Sequence, residues 1–380
     1  LLNLDHPVKE AAASWARAEL DDPDLVERDR ECRFWAEGWR RIADHGVLRG
    51  PVAPEYGGAG RDLVHTILTI EGLGLGCRDD GLILAVGSQV LSVQHTLERF
   101  GSPEQIQRWL PELVSGRAIG AFSMSEPHSG SDAYSLTTTA TPTSEGYRLD
   151  GTKAWVTMAP VADVFIVFAS TNLELGRWGI STFLIPADTP GLLVGENQPK
   201  MGMRTTPFAD LTFDGCIVPA DARMGAEGAG ASIFSSAMEA ERAFLLAGAV
   251  GALERNLGDT IAYARTREQF GQPIGTFQAI SHELAKAKLA HEAARTLLYK
   301  AAALYTQGSP SMMAAALAKL AASEASLSGA LTAVQVHGAR GYVTEFGVER
   351  DLRNNIGGLI YGGASGIQRN IVARLLGLPA

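Results

Sequence analysis

A change of hydrophobic period partway along the chain limits what it can fold into more than any other feature. From His6 to about Gly116 apolar residues recur at three to four residue steps, with Trp35, Trp39 and Ile42 on one face, as on a buried helix. From Ile119 to about Arg223 the period drops to two. Tyr147 and Leu149 alternate, Val164 to Phe168 is a continuous apolar run, and Thr182 to Ile185 and Leu211 to Phe213 read as further strands. Turns at Ser144-Glu145-Gly146, Asp150-Gly151, Thr189-Pro190-Gly191 and Asp214-Gly215 are expected to separate them. Helical spacing returns at about Gly228 and lasts to the end. The pattern predicts an α+β fold: a helical domain over residues 1–118, a small β-barrel or sandwich over 119–227, and a helical bundle over 228–380.

Within the first region, breaks fall at Pro51, Pro54 to Gly60 and Gly101 to Pro103, and Ser102-Pro103-Glu104 reads as the cap and first turn of a restarting helix. The last region carries four long patterns, Phe234 to Ala262, Phe277 to Tyr305, Met312 to His337 and Val348 to Leu376, the fourth with shorter pieces. The third is rich in Ala and Ser, whose small side chains let helices approach closely in a four-helix core or a subunit interface.

Composition narrows the class. A net charge of −9 over 380 residues, with no block of Lys and Arg, argues against a general nucleic-acid binder. Cys32, Cys77 and Cys216 are scattered and lack metal-ligand spacing, so reduced structural thiols and no metal are expected. The opening LLNLDHPVKE has no basic-then-apolar leader, and no apolar run approaches the roughly 18 residues of a membrane span. A cytoplasmic enzyme is the expectation.

Chemistry concentrates between Ala121 and Thr157. AFSMSEPHSGSD is turn-rich, and Ser125, Ser129, Gly130 and Ser131 let backbone N–H groups and hydroxyls approach a planar polar ligand. RLDGTKAWVT then alternates as a strand and puts Trp155 and Thr157 on one side, an indole and a hydroxyl that suit a flat redox cofactor. On these residues alone, a plain Gly/Ser turn entering a sandwich strand is equally open.

Both pieces, in this order, resemble the acyl-CoA dehydrogenase family of flavoproteins, whose Thr/Ser-Glu-Pro-x-x-Gly-Ser-Asp and Lys-x-Trp-Ile/Val-Thr segments wrap the isoalloxazine of FAD. The resemblance implies that Met124 and Ser125 bond the pyrimidine side of the flavin and that Trp155 and Thr157 cover its hydride-accepting edge. Phe122 stands where many members have Tyr. Ser131 is assigned to both cofactor and substrate. The KMGMRTTPFADLTF segment from Lys200 is similar to the family's Lys-Met-Gly-x-Arg stretch.

YARTREQFGQPIGTFQAI, Tyr263 to Ile280, matches a family segment that touches the FAD of a neighbouring subunit. By this likeness Arg267 pairs with the pyrophosphate and Phe270 packs on the adenosine or flavin, with Gln269 beside them. AVQVHGARGYV resembles the family's Gln-x-x-Gly-Gly-x-Gly segment, and Gln335, Gly338 and Ala339 are assigned to the partner's adenosine half, Ala339 replacing a Gly. A lone His337 there reads as a packed or capping residue. These matches imply an oligomer, a tetramer or dimer of dimers.

At the later site the chain departs from the commoner pattern. Many members read Tyr-Glu-Gly-Thr, whose Glu removes the substrate α-proton, whereas Tyr361 is followed here by Gly362, which has no proton acceptor. A minority, isovaleryl-CoA dehydrogenase and dehydrogenases of carrier-bound prolyl groups among them, take the base from an earlier Glu-Arg pair. Glu241 and Arg242 in MEAERAFLLAGAVG fall on that pair. The resemblance implies Glu241 as base, Arg242 as its charge partner, and Glu239, Tyr361 and Gly362 near the substrate. The expected reaction is FAD-dependent α,β-dehydrogenation of an acyl thioester, leaning to a prolyl-like group on a carrier protein's phosphopantetheine arm in natural-product biosynthesis. An acyl-CoA substrate is the alternative. Electrons would pass to an electron-transfer flavoprotein or, in an oxidase, to molecular oxygen. A nitroalkane-oxidase-like enzyme is disfavoured by Gly362, and a non-catalytic flavin scaffold would need no Glu241.

Overall fold

The computed structural model describes residues 6–379; residues 1–5, on which the expectation of no leader segment partly rests, and residue 380 lie outside the described part. Helices come first: α1 (Pro7–Glu19), α2 (Leu25–Glu31), α3 (Ala36–Asp44), α4 (Leu63–Gly76), α5 (Asp80–Gly87), α6 (His95–Phe100) and α7 (Pro103–Val114). Helix α7 starts as its sequence dictates. Ser102 Oγ accepts the Gln105 N–H at 3.2 Å, and Gln105 Oε1 accepts the Ser102 N–H at 2.9 Å, a reciprocal cap. Between α5 and α6 the helix does not stop but widens into π geometry over Ser88–Gln94, and the His95 N–H reaches back to the Val90 carbonyl.

Eight strands follow: β1 (Gly120–Ser123), β2 (Thr139–Thr143), β3 (Gly146–Thr157), β4 (Val164–Ser170), β5 (Ile180–Pro186), β6 (Leu192–Val194), β7 (Phe208–Val218) and β8 (Arg223–Met224). They form one sheet in the order β6-β7-β3-β2-β4-β5-β8, with β1 parallel to β4, Gly120 opposite Val164. The continuous apolar run of β4 has a simple cause. Phe165, Val167 and Ala169 point into the core of the β-domain, while Val164, Ile166 and Phe168 join Leu97, Leu110 and Leu113 beneath α6 and α7.

Two of the four expected turns are not turns. Asp150-Gly151 lies inside β3 and Asp214-Gly215 inside β7, where the pairing jumps from Leu149 opposite Cys216 to Gly151 opposite Phe213. Gly151 and Gly215 take positive φ of 143° and 60°, and the Gly215 N–H donates to Asp150 Oδ1 at 2.9 Å. The Asp-Gly pairs therefore build a bulge that bends two long strands together.

The chain then forms α8 (Gly230–Phe244), α9 (Ala247–Thr266), a hairpin of β9 (Glu268–Gln269) and β10 (Gln272–Pro273), α10 (Gln278–Thr306), α11 (Met312–His337), α12 (Ala339–Tyr342), α13 (Val348–Gly357) and α14 (Ser365–Leu375). The helix expected over Phe234 to Ala262 is broken at Leu245-Leu246. Helix α9 lies flush on α4: a Cβ at Gly251 would sit 1.9 Å from the Glu71 carbonyl oxygen, and one at Gly74 2.0 Å from that of Gly248. Helix α8 instead packs on β5 and the π segment, and one straight helix cannot follow both surfaces. The Ala-rich α11 lies among α8, α9, α10, α13 and α14.

Consecutive acids at the start of α5, its cap Asp79 and first residue Asp80, tie the three regions together. Asp79 accepts from Arg28 Nη2 at 2.8 Å, from the Leu82 N–H at 3.0 Å and from Thr205 Oγ1 at 2.5 Å. Asp80 accepts from Arg255 Nη2 at 3.0 Å and Asn354 Nδ2 at 3.1 Å, and Asn354 Oδ1 in turn accepts the Met203 N–H at 2.7 Å. No described helix is long and apolar enough to cross a membrane.

Candidate active site

The turn after β1 is held from below by a buried ion pair. Lys153 Nζ, on β3, donates to Glu126 Oε1 at 2.8 Å and to the Met124 carbonyl at 3.1 Å; both side chains are fully enclosed. Burial opposes ionisation of Glu126, but the Lys153 charge and the Thr137 and Thr138 donors outweigh it and hold the carboxyl at about 2. Burial pushes Lys153 down to about 8, against the pull of Glu126, so both are charged at neutral pH. The pair fixes Met124, which is buried, and half-buried Ser125, whose carbonyl accepts the Ala154 N–H at 2.9 Å; Ser131 lies exposed on the outer part of the turn.

Trp155 is 49% exposed and held at φ +58°, with its backbone N–H on Asp210 Oδ1 at 2.9 Å. Among described residues, Trp155, Met158 and Phe270 are three of only five non-glycines with positive φ. Left-handed backbone in bulky residues is costly and clusters at ligand clamps. Trp155 and Met158 bracket half-buried Thr157, so the strand end is set to present a ring and a hydroxyl.

Helix α8 closes the other side. Phe234 stacks on Phe122 at 6.3 Å between ring centroids and meets the edge of Tyr134 at 5.9 Å. Two turns further along α8, Glu241 is half-buried by surface area, yet enough protein surrounds its carboxyl for burial to raise its pKa above the ordinary range, against the opposing effects of the Ser92 hydroxyl and the Arg242 charge. Ser92 Oγ, from the π segment, donates to Glu241 Oε2 at 2.8 Å. Burial lowers the pKa of the neighbouring Arg242 guanidinium, whose buried Nε has no hydrogen-bond partner.

The loop between α13 and α14 reaches the same place. A Cβ at Gly363 would lie 4.0 Å from Arg242 Nε, and one at Gly362, φ +63°, would meet nothing within 4 Å. Gln368 Nε2 donates to the carbonyls of Gly362 and Gly363 at 3.2 and 2.9 Å, setting the loop's course. Tyr361, half-buried, lines a cavity of about 20 Å³ with Leu84 and Leu245. The carboxylate of Glu239, also expected near the substrate, accepts from Ser311 at the start of α11.

The acyl-CoA dehydrogenase N-terminal, middle and C-terminal domain families match residues 5–117, 121–216 and 228–377. This chain belongs to the acyl-CoA dehydrogenase family. It is 39% identical over 377 residues to an L-prolyl-[peptidyl-carrier protein] dehydrogenase of Pseudomonas fluorescens, covering 99% of each chain. Among solved structures, the prolyl acyl carrier protein oxidase AnaB superposes with a TM-score of 0.95 at 40% identity, covering 98% of each chain. PigA with FAD and proline also superposes at 0.95, with 38% identity over 100% of this chain and 98% of that one.

Within this family frame, the remaining expected cofactor residues sit apart from Glu241 and Trp155. Tyr263 and His337 stack with ring centroids 4.3 Å apart, bringing the β9–β10 hairpin and the end of α11 to one end of the bundle. There Arg267, Gln269, Gln335, Gly338 and Ala339 are exposed, and Phe270 is 93% exposed. Sequence reasoning passed over Ser92, Tyr134, Phe234, Glu126 and Lys153. The last two were legible, because the first motif carries an acid at Glu126 and the second a lysine at Lys153, which can pair; Ser92 gave no signal, since nothing in its neighbourhood marks a π turn.

Replacing Glu126 with Gln leaves Lys153 buried without its counter-charge. We expect a loss of about 3–5 kcal/mol at neutral pH, read by denaturant unfolding of the holoprotein. Because the folded carboxyl titrates at about 2, below its ordinary value of about 4.3, the parent's stabilisation is complete above that value and disappears as pH falls toward 2. Glu126→Gln should remove that part of the acid dependence, and an unchanged acid profile would contradict the pairing.

Proposed function

We propose that this chain is an FAD-dependent dehydrogenase that oxidises the α,β bond of a prolyl-like aminoacyl thioester carried on the phosphopantetheine arm of a carrier protein, with Glu241 as base. The observation that supports the assignment is the approach of the later loop to the earlier helix: a Cβ at Gly363 would lie 4.0 Å from Nε of Arg242, the residue after Glu241, whose carboxyl burial makes more basic, while Gly362 beside it carries no proton acceptor. Similarity to a carrier-bound prolyl dehydrogenase over the full length supports the substrate class.

The residues present suit FAD. The strained, exposed Trp155, the hydroxyl of Thr157 and the polar groups of Ser125 would hold its flat ring. When bound, FAD accepts the hydride that leaves the β-carbon. The protein's own part is the proton. A thioester α-hydrogen is weakly acidic, so it needs a carboxylate in hydrogen-bond reach whose basicity is raised by a water-poor surround. Glu241 supplies it, taking the proton while the C–H electron pair moves into the thioester enolate. Arg242, one residue on, keeps the carboxylate ionised before the transfer. Phe122, Phe234 and Tyr134 form an aromatic wall along the first turns of α8.

We further infer a homo-oligomer, a tetramer by the family likeness, in which Arg267, Gln269, Phe270, Gln335, Gly338 and Ala339 hold the cofactor of a neighbouring copy. A Phe at 93% exposure in left-handed backbone is a costly surface residue and a natural one to be covered by a ligand and another chain. A cytoplasmic setting and either an electron-transfer flavoprotein or molecular oxygen as electron acceptor complete the reading; hydrogen peroxide in stoichiometric yield would select oxygen.

Mixed anaerobically with a panel of carrier-bound and CoA thioesters, the yellow protein should bleach with the carrier-bound prolyl ester. Bleaching by short CoA esters alone would overturn the carrier assignment. Glu241→Gln should slow that bleaching by about 10² to 10⁴-fold. In the parent the rate should rise with pH through a midpoint above the ordinary carboxylate value of about 4.3, since the base acts only when ionised. Separately, Arg267→Ala should weaken FAD retention about tenfold or more, as loss of a charge-assisted bond would; a monomer that keeps FAD in full yield would contradict the shared site.

A further inference from the structure

The π segment Ser88–Gln94 is anchored on both sides. Gln89 Nε2 donates to the Leu113 and Ala118 carbonyls, each at 3.1 Å, and its Oε1 accepts the Gly120 N–H at 2.9 Å, which pins the segment to the start of β1. Three residues on, Ser92 faces the opposite way and donates to Glu241 Oε2 at 2.8 Å from a position only 2% exposed. The widened turn is what allows both. A π turn adds roughly one residue per turn and so changes the direction of every side chain after it relative to an α-helix.

We propose that Ser92 is the positioning residue of the catalytic base: its hydroxyl occupies Glu241 Oε2 and leaves Oε1 as the oxygen that meets the substrate α-hydrogen. The proposal rests on the assignment of Glu241 as base and adds which oxygen acts and what holds it. Oε1 accepts no hydrogen bond from the described residues, whereas Oε2 has a donor from a rigid, buried element. A carboxylate tied at one oxygen has lost its freedom to rotate about the last side-chain bond, so the free oxygen keeps one direction. In the transfer, the substrate C–H bond breaks, its electron pair stays in the thioester enolate, and the proton forms an O–H bond at Oε1.

The hydroxyl has a second consequence. A donor to the charged form resists protonation, so Ser92 moderates the rise in basicity that burial imposes. On α8 itself the charged neighbours of Glu241 are Glu239 and Arg242. From the elements packed against α8 come His95, Tyr134, Tyr305, Lys319 and Tyr361. His95 is bonded to Tyr305 and held by burial at about 4, and Glu239 is bonded to Ser311. Ser92 gives Glu241 its only side-chain donor among the described residues, so removing it changes this carboxyl without breaking another pair.

The test uses the FAD-loaded protein and two readouts. In infrared titration, the carboxyl band that Glu241→Gln abolishes should have its midpoint moved to higher pH in Ser92→Ala, by up to about one unit. Ser92→Thr, which keeps the hydroxyl, should bring it back. With whichever thioester bleaches the parent, Ser92→Ala should lower the plateau rate of flavin reduction about tenfold and shift its acid limb by the same amount as the infrared midpoint. An infrared midpoint and an acid limb both unmoved in Ser92→Ala overturn the proposal. Full-rate reduction by Glu241→Gln would instead remove the base assignment, and the infrared arm would still report whether Ser92 holds that carboxyl.

Discussion

Asp79 and Asp80 make the junction on which the rest of the molecule depends. Two adjacent carboxylates, nearly removed from water, collect Arg28, Thr205, Arg255 and Asn354 from helices and loops far apart in the chain. Isolated buried charge is costly, and each pair offsets that cost only while every partner is in place. The consequence is geometric. The N-terminal helices, the loop after β6 and the C-terminal bundle are clamped at the root of α5, and the helix that leaves this root continues through the π segment to Ser92. Its reach to Glu241 on α8 is therefore set by a rigid arm and not by a loop.

Much of this was readable in the residues. The switch from helical to alternating period located the sheet, Ser102-Pro103-Glu104 located the start of α7, and Met312 to His337 coincides with α11. What escaped has physical reasons. An Asp-Gly pair signals a tight turn only when the strands on either side must reverse; Asp150-Gly151 and Asp214-Gly215 oppose each other across two long strands and make a bulge instead. Phe234 to Ala262 is apolar at helical spacing throughout, so nothing local announces the break at Leu245-Leu246, which comes from two packing surfaces with different directions. Tertiary demand, and not propensity, decides both.

The site divides in the same way. Residues named by motif, such as Glu241, Trp155 and Arg267, can be proposed from the chain alone, because the motif fixes residue type and spacing. Ser92 and Glu239 could not be placed, because the partner of a hydroxyl on a π turn and that of a carboxylate on α8 are set only in three dimensions. Glu239 and Glu241 are two residues apart on one helix and point to different partners, Ser311 and Ser92.

A base on α8 and a glycine at 362 amount to one claim: the group that removes the α-hydrogen approaches from the helix and not from the loop. Hydrogen exchange at the thioester α-carbon tests this most directly, because it follows the proton and needs no electron acceptor. With substrate bound under anaerobic conditions in deuterated water, the parent should wash deuterium into the α-position, and the Glu241→Gln protein, still loaded with FAD, should not. Exchange at the parent's rate in that variant would contradict the account.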